Sequence, residues 1–153
     1  MIDVQVEDAA WTAALPDVEQ VVLKAAQAAL KSEAGVVVLL ADDDAVADLN
    51  QRFRHKDGPT NVLSFPAPAN PHGHLGDIVL AYGVCAREAR EQGKTLDQHL
   101  AHLVVHGVLH LLGYDHRDDG EAEAMEALER AVLEVLGVPD PYAAERSEAR
   151  SRP

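Results

Sequence analysis

Apolar and polar residues alternate through "IDVQVED" near the start of the chain, a pattern that predicts a half-buried strand. In "PDVEQVVLKAAQAALKSE", residues Val18, Val21, Val22, Ala25, Ala26, Ala29 and Leu30 recur at helical spacing, and Pro16 suits a first turn. Gly35 follows, and "VVVLLA" is a β-branched run bounded by turn residues, which predicts a buried strand. "DDDAVADLNQRF" opens on helix-capping aspartates and continues as a short helix. "RHKDGPTN" reads as a loop, "VLSF" as a short strand stopped by Pro66, and "APANPHGHLG" as a second loop holding His72 and His74. "DIVLAYGVC" predicts a strand and "AREAREQGK" a helix ending at Gly93. A longer helix runs from about Thr95 to Leu112 and stops at Gly113. "DDGEAEAMEALERAVLEVLG" is a last amphipathic helix, with Met125, Leu128, Val132, Leu133 and Leu136 on one face.

Four strands interleaved with helices, with no repeat and no linker, predict a single α+β domain over residues 1–142, a mixed four-stranded sheet packed with helices. Residues 143–153 lack an apolar pattern and are expected to form a flexible tail. Hydrophobic residues make up 47% of the 153, enough for a real core. Cys85 is the lone cysteine, so no internal disulfide can form and a reducing compartment fits. The start of the chain has no signal-peptide pattern, and the longest apolar run, "GVVVLLA", is too short to span a bilayer. A soluble, cytoplasmic protein without a membrane partner is the expectation.

The net charge of -13 argues against a general nucleic-acid binder. It is unevenly spread. Between Gln51 and Lys94 six basic residues face four acids, so that segment carries +2 and the remainder -15. Any anionic substrate must find a local positive site.

The candidate chemistry lies in "HGVLHLLGYDH", residues 106–116. His106 and His110, one turn apart on a helix, project from one face, as two imidazoles on a tetrahedral metal require. On a continuing helix His116 would lie roughly 80° off that face and nearly three turns away. Gly113 removes the difficulty, because glycine readily ends a helix and lets the chain double back. The result is a metal site at the end of a helix, a metzincin-like three-histidine arrangement of His106, His110 and His116. Imidazole ligands favour zinc or a similar borderline metal, one ion per chain, and three ligands leave a position for water. His102 shares the His106/His110 face and His99 lies near its edge, so either is an alternative fourth ligand that would make the site structural.

The zinc-protease signature HExxHxxGxxH differs at one informative place. Gly107 stands where the protease carries its glutamate base, and losing a positioned base costs about 10²–10⁴-fold in rate. Peptide hydrolysis is therefore disfavoured. Asp115 is the nearest carboxylate in sequence, suited to accepting a hydrogen bond from a ligand histidine or to forming the turn. Elsewhere, "LNQRFRHKDGPTNVLSFP" gathers Arg52, Arg54, His55 and Lys56 just before a strand, and arginine forks match phosphate groups bidentately.

These two stretches together resemble the signature segments of the YbeY family of bacterial endoribonucleases, also called rRNA maturation factors. "LGDIVLAYGVCAREAREQGK" and "EAEAMEALE" are similar to the family as well, so the likeness covers roughly residues 35–142. The resemblance implies a metal-dependent endoribonuclease directed to single-stranded RNA. It further implies a role in 16S rRNA 3′-end maturation and ribosome quality control, with ribosomal partners. It carries over His106, His110 and His116 as metal ligands and Arg54 as the functionally required arginine. Arg52 and Lys56 become candidate RNA contacts. The family form "TDVLSFP" has an aspartate where this chain has Asn61. Two rival readings remain: a non-catalytic ribosome assembly factor with a structural metal, and a metal hydrolase of another substrate class.

Overall fold

Alternating burial along β1 (Ile2–Val6) and β2 (Gly35–Ala41) follows the period-two pattern of the sequence. The computed structural model describes residues 1–30, 32–115 and 118–142. β1 pairs parallel to β2 with Val4 opposite Val38, and β2 pairs parallel to β4 (His74–Ala81) with Val38 opposite Ile78. β3 (Val62–Pro66) runs antiparallel to β4, with Ser64 opposite Ile78. The sheet is thus mixed and four-stranded, in the order β1-β2-β4-β3.

The two faces of the sheet bury different helices. Val36, Val38, Leu40, Ile78 and Leu80 join the main core with α2 (Val18–Leu30), α5 (Leu96–Leu111) and α6 (Asp119–Val135). Ala41, Leu63, Val79 and Ala81 face the other way, against Val46 of α3 (Asp43–Arg54). Thr95 and Asp118 cap α5 and α6 through their side chains, as expected for helix starts. Among the described residues no helix is long and apolar enough to cross a membrane.

Three local differences from the sequence pattern have physical causes. A short helix α1 (Ala9–Ala14) forms where none is predicted, capped by Asp8 and anchored by buried Trp11, whose indole N–H donates to the Ala41 carbonyl at 2.9 Å. Six residues are too few for a periodicity to register. β4 starts at His74, inside the expected second loop, because the Asn70 carboxamide oxygen accepts from the backbone N–H groups of His72 and His74. β4 also ends at Ala81, and "YGVC" opens the helix α4 (Tyr82–Glu91) instead of extending the strand. The β3 ladder runs out at Val62 opposite Leu80, and the Asp43 carboxylate accepts from the Val84 N–H at 3.1 Å, capping the new helix. Pro66 lies within β3, an edge strand, where proline is tolerated. The expected flexible tail, 143–153, lies outside the described residues.

Candidate metal centre and cleft

α5 packs on the sheet and carries one stripe of histidines, of which His99 is buried and His102, His106 and His110 are half-buried. Their rings meet edge to face along the helix, with centroids 6.3, 6.4 and 4.6 Å apart. The helix ends as Gly113 requires. Gly113 has φ +104°, its N–H donates to the His110 carbonyl, and the Tyr114 N–H reaches back to the Leu109 carbonyl. This pair of bonds is the Schellman arrangement that reverses a chain after a helix. His116, the expected third ligand, lies outside the described residues.

The electrostatic centre of the site is a residue the sequence reading did not single out. Glu129 of α6 is fully buried. Its Oε1 lies 2.5 Å from His106 Nδ1, and its Oε2 takes Tyr142 Oη at 2.5 Å and His102 Nε2 at 3.0 Å. Burial by itself pushes this carboxyl up. The hydrogen bonds from His102, His106 and Tyr142 outweigh that and hold it down at about 2. An ionised carboxylate only accepts, so His106 must carry its proton on Nδ1 and His102 on Nε2. The signal was present in the sequence. Glu129 interrupts the apolar stripe of the last helix between Met125 and Val132, where a solvated charge is not expected.

With Nδ1 of His106 committed, its Nε2 faces His110 Nε2 at 3.1 Å. A proton on His110 makes this contact a hydrogen bond; a metal ion would make it a ligand pair. Two nitrogens on a tetrahedral zinc at about 2.0–2.1 Å stand about 3.3–3.4 Å apart, so the observed separation needs only a small adjustment. The donor chemistry therefore fits a borderline divalent ion. Among the described residues no group of three or more His, Cys, Asp or Glu side chains is placed to hold one. His102 and His99, the alternative fourth ligands, each give Nε2 to a carboxylate, His102 to Glu129 at 3.0 Å and His99 to Glu88 Oε1 at 3.0 Å, and the Nδ1 of each is buried without a hydrogen-bond partner. His74 pairs with Asp77 at 3.1 Å.

His106 and His110 line an open cleft of about 980 Å³ between α5, β3 and the end of α3. Arg54, Asp115 and His102 line it too, so residues singled out from separate stretches of the sequence share one cavity. Arg54 is delivered by the end of α3. His55 adopts the left-handed conformation at φ 55° and stops the helix, and buried Asn50 donates to the Gly58 carbonyl at 2.9 Å, holding the loop that follows. Arg52 and Lys56 are exposed and are not among the described residues lining the cleft; Arg52 pairs with Asp48 one turn back, at 3.6 Å. Asn61 also lines the cleft, and its amide donates to Glu88 Oε1 at 3.0 Å. An ionised aspartate there could not make that bond.

Gly107 faces the sheet. A Cβ at this position would stand 3.1 Å from two atoms of the Ile78 side chain and 3.3 Å from a third. The helix backbone lies that close to β4, which sets the depth at which the histidine stripe sits.

The family model for Endoribonuclease YbeY matches residues 2–137 of this chain. The chain belongs to the YbeY family. Relatives bearing the name Endoribonuclease YbeY include one from Azorhizobium caulinodans, 50% identical over 93% of this chain and 96% of the relative. Another, from Paramagnetospirillum magneticum, is 52% identical over 92% of this chain and 94% of the relative. The solution structure of a Thermotoga maritima protein superposes with a TM-score of 0.61 at 27% identity, covering 100% of this chain and 97% of that one. The family membership and the α+β architecture expected from the sequence are thus both met.

Proposed function

We propose that this YbeY-family chain is a metal-dependent endoribonuclease that cuts single-stranded RNA, acting in the cytoplasm in 16S rRNA 3′-end maturation and ribosome quality control. The observation that carries the reading is the approach of His106 Nε2 and His110 Nε2 to 3.1 Å, in a cleft that Arg54 also lines. The family likeness supplies the reaction class, since the relatives are named endoribonucleases and an endoribonuclease acts on RNA.

In this reading His106, His110 and His116 form the metzincin-like set of three, and zinc is the ion their chemistry favours. A divalent ion held there supplies Lewis-acid polarisation at the scissile phosphate. The chain's own residues do the rest. Glu129 holds the Nδ1 proton of His106 and so keeps Nε2 turned into the cleft. Arg54 binds the phosphodiester and offsets the charge that develops on it during cleavage. Asp115 accepts a hydrogen bond that orients a ligand histidine. The test is cleavage of single-stranded RNA, duplex RNA and peptide panels with and without a chelator. Chelator-sensitive cutting of single-stranded RNA alone is expected; chelator-resistant cutting, or cutting of peptides, would overturn the reading.

A further inference from the structure

The cleft is a poor electrostatic trap for a polyanion. Among the described residues that line it, Arg54 is the one arginine or lysine, and the chain as a whole carries -13. Salt-dependent phosphate neutralisation, the usual source of nucleic-acid affinity, is therefore small here. Beyond Arg54 and a metal-bound phosphate, a further contact would add to the grip on an RNA strand.

The aromatic residues of the same cleft supply it. Phe53 immediately precedes Arg54 and is 64% exposed, which is unusual for a large ring flanking a site. It is not stranded on the outer surface of α3. Val46 and Asn50 are the buried residues of that helix, and Phe53 continues their stripe at i+7 and i+3. It thus extends the sheet-facing side of the helix past the point where the sheet covers it. There it meets Phe65 of β3 edge to face, with centroids 5.5 Å apart and planes at 68°. Edge contact braces a ring while leaving a face available.

We propose that Phe53, braced by Phe65, is a stacking platform for one unpaired nucleobase of a single-stranded RNA, next to the phosphate taken by Arg54. The assignment rests on the RNA-cleaving reading above and names how that site grips its substrate. Stacking on an aromatic side chain tolerates any base but needs a base free of its duplex partner, so the platform also gives a physical reason for single-strand selection.

The test is a binding cycle using the metal-loaded full chain and an uncleavable 2′-O-methyl single-stranded oligonucleotide. Phe53→Ala should weaken binding by about 5- to 150-fold, the range of one aromatic stack. Phe53→Trp should preserve or tighten it. Its fluorescence should also be quenched by the oligonucleotide, against the constant background of buried Trp11. Phe53→Leu, apolar but without a π-face, should behave like the alanine variant. A series of oligonucleotides, each with one abasic position, should contain one that weakens the parent and leaves Phe53→Ala unaffected. Equal affinity of Phe53→Ala and parent, full rescue by leucine, or absence of such a coupled position would overturn the platform. Equal affinity is also the result expected if the ring docks a protein. If the parent cuts single-stranded RNA while the cycle fails, the platform alone is wrong; if the parent neither binds nor cuts it, both readings fall.

Discussion

Replacing Glu129 with glutamine tests the centre of the site with almost no change of volume. The carboxylate is fully buried and accepts from both sides: His106 on Oε1, and His102 and Tyr142 on Oε2. Glutamine has one oxygen and one NH₂ group, so its amide must face either the His106 Nδ1–H or the His102 and Tyr142 donors. At least one donor-to-acceptor contact is lost, and those that survive become neutral bonds of about half the strength. The size of the effect can be gauged from the carboxyl itself. Held at about 2 rather than at 4.5, it is favoured in its ionised form by roughly 3 kcal/mol in the folded chain, after burial has already opposed ionisation. Part of that is returned because the neutral amide costs less to bury. A loss of roughly 2–3 kcal/mol in unfolding free energy is expected.

The functional consequence is separable from the structural one. In the proposed metal site Glu129 fixes the His106 tautomer and raises the basicity of its Nε2, and loss of such a partner typically lowers metal affinity about 10–100-fold. Competition of the folded variant against a chromophoric zinc chelator measures this directly, and denaturant unfolding of the same sample measures stability. Glu129→Gln with lowered stability and parental zinc affinity would refute the positioning argument and leave Glu129 as a strut between α5 and α6. Parental stability would refute the hydrogen-bond account itself.

Arg54→Ala should cut single-stranded RNA about 10²–10³-fold more slowly while its bound metal, measured by atomic absorption, stays at the parental level; equal rates would remove Arg54 from the chemistry. Gly107→Ala gains about 1 kcal/mol in helix propensity but presses a methyl to 3.1 Å from Ile78, at a cost of about 1–3 kcal/mol. Its denaturation midpoint should fall and partly recover in Gly107→Ala/Ile78→Val, whereas a midpoint above the parent's would mean that the helix does not sit tight on β4. Burial lowers the His99 pKa below its ordinary 6.5, outweighing the Glu88 carboxylate that opposes it, and His99 Nδ1 has no hydrogen-bond partner. The unfolded chain therefore takes up a proton that the folded chain refuses, so stability should drop as pH falls below about 6.5 and not change through this group above it. His99→Asn should flatten that slope; the same slope in both proteins would show that the histidine titrates freely in the fold.

What the sequence made legible was local. The His106/His110 pair depends only on the pitch of one helix, and Gly113 only on the conformational freedom needed to end it, so both could be read by spacing. The features that escaped depend on contacts between distant segments. "YGVC" looks like strand because nothing nearby shows that Asp43, forty-one residues upstream of Val84, caps a helix there. Arg52, Arg54 and Lys56 look alike in a basic run, yet the helix pitch and the left-handed stop at His55 give Arg54 to the cleft and leave Arg52 beside Asp48. Glu129 was visible as a charge in an apolar stripe, but its role depends on how α6 lies across α5.

The glycine at position 107 takes on a different meaning once that packing is known. By analogy with HExxH it marks a missing base, a cleft residue deleted. In the fold, residue 107 is about 100° around α5 from His106, and that direction points into the sheet. A glutamate there would bring its stem against Ile78, in the apolar core, before it could reach any substrate. The close approach of α5 to β4 therefore works against a base beside His106 in sequence. The carboxylate that serves His106 comes instead from α6, on the other ring nitrogen, where it can orient the imidazole but not touch the reacting atoms. Among the described residues lining the cleft, Asp115 is the one carboxylate and Arg54 the one arginine. Such a site is better equipped to stabilise charge on a phosphodiester than to deprotonate water for attack on a peptide.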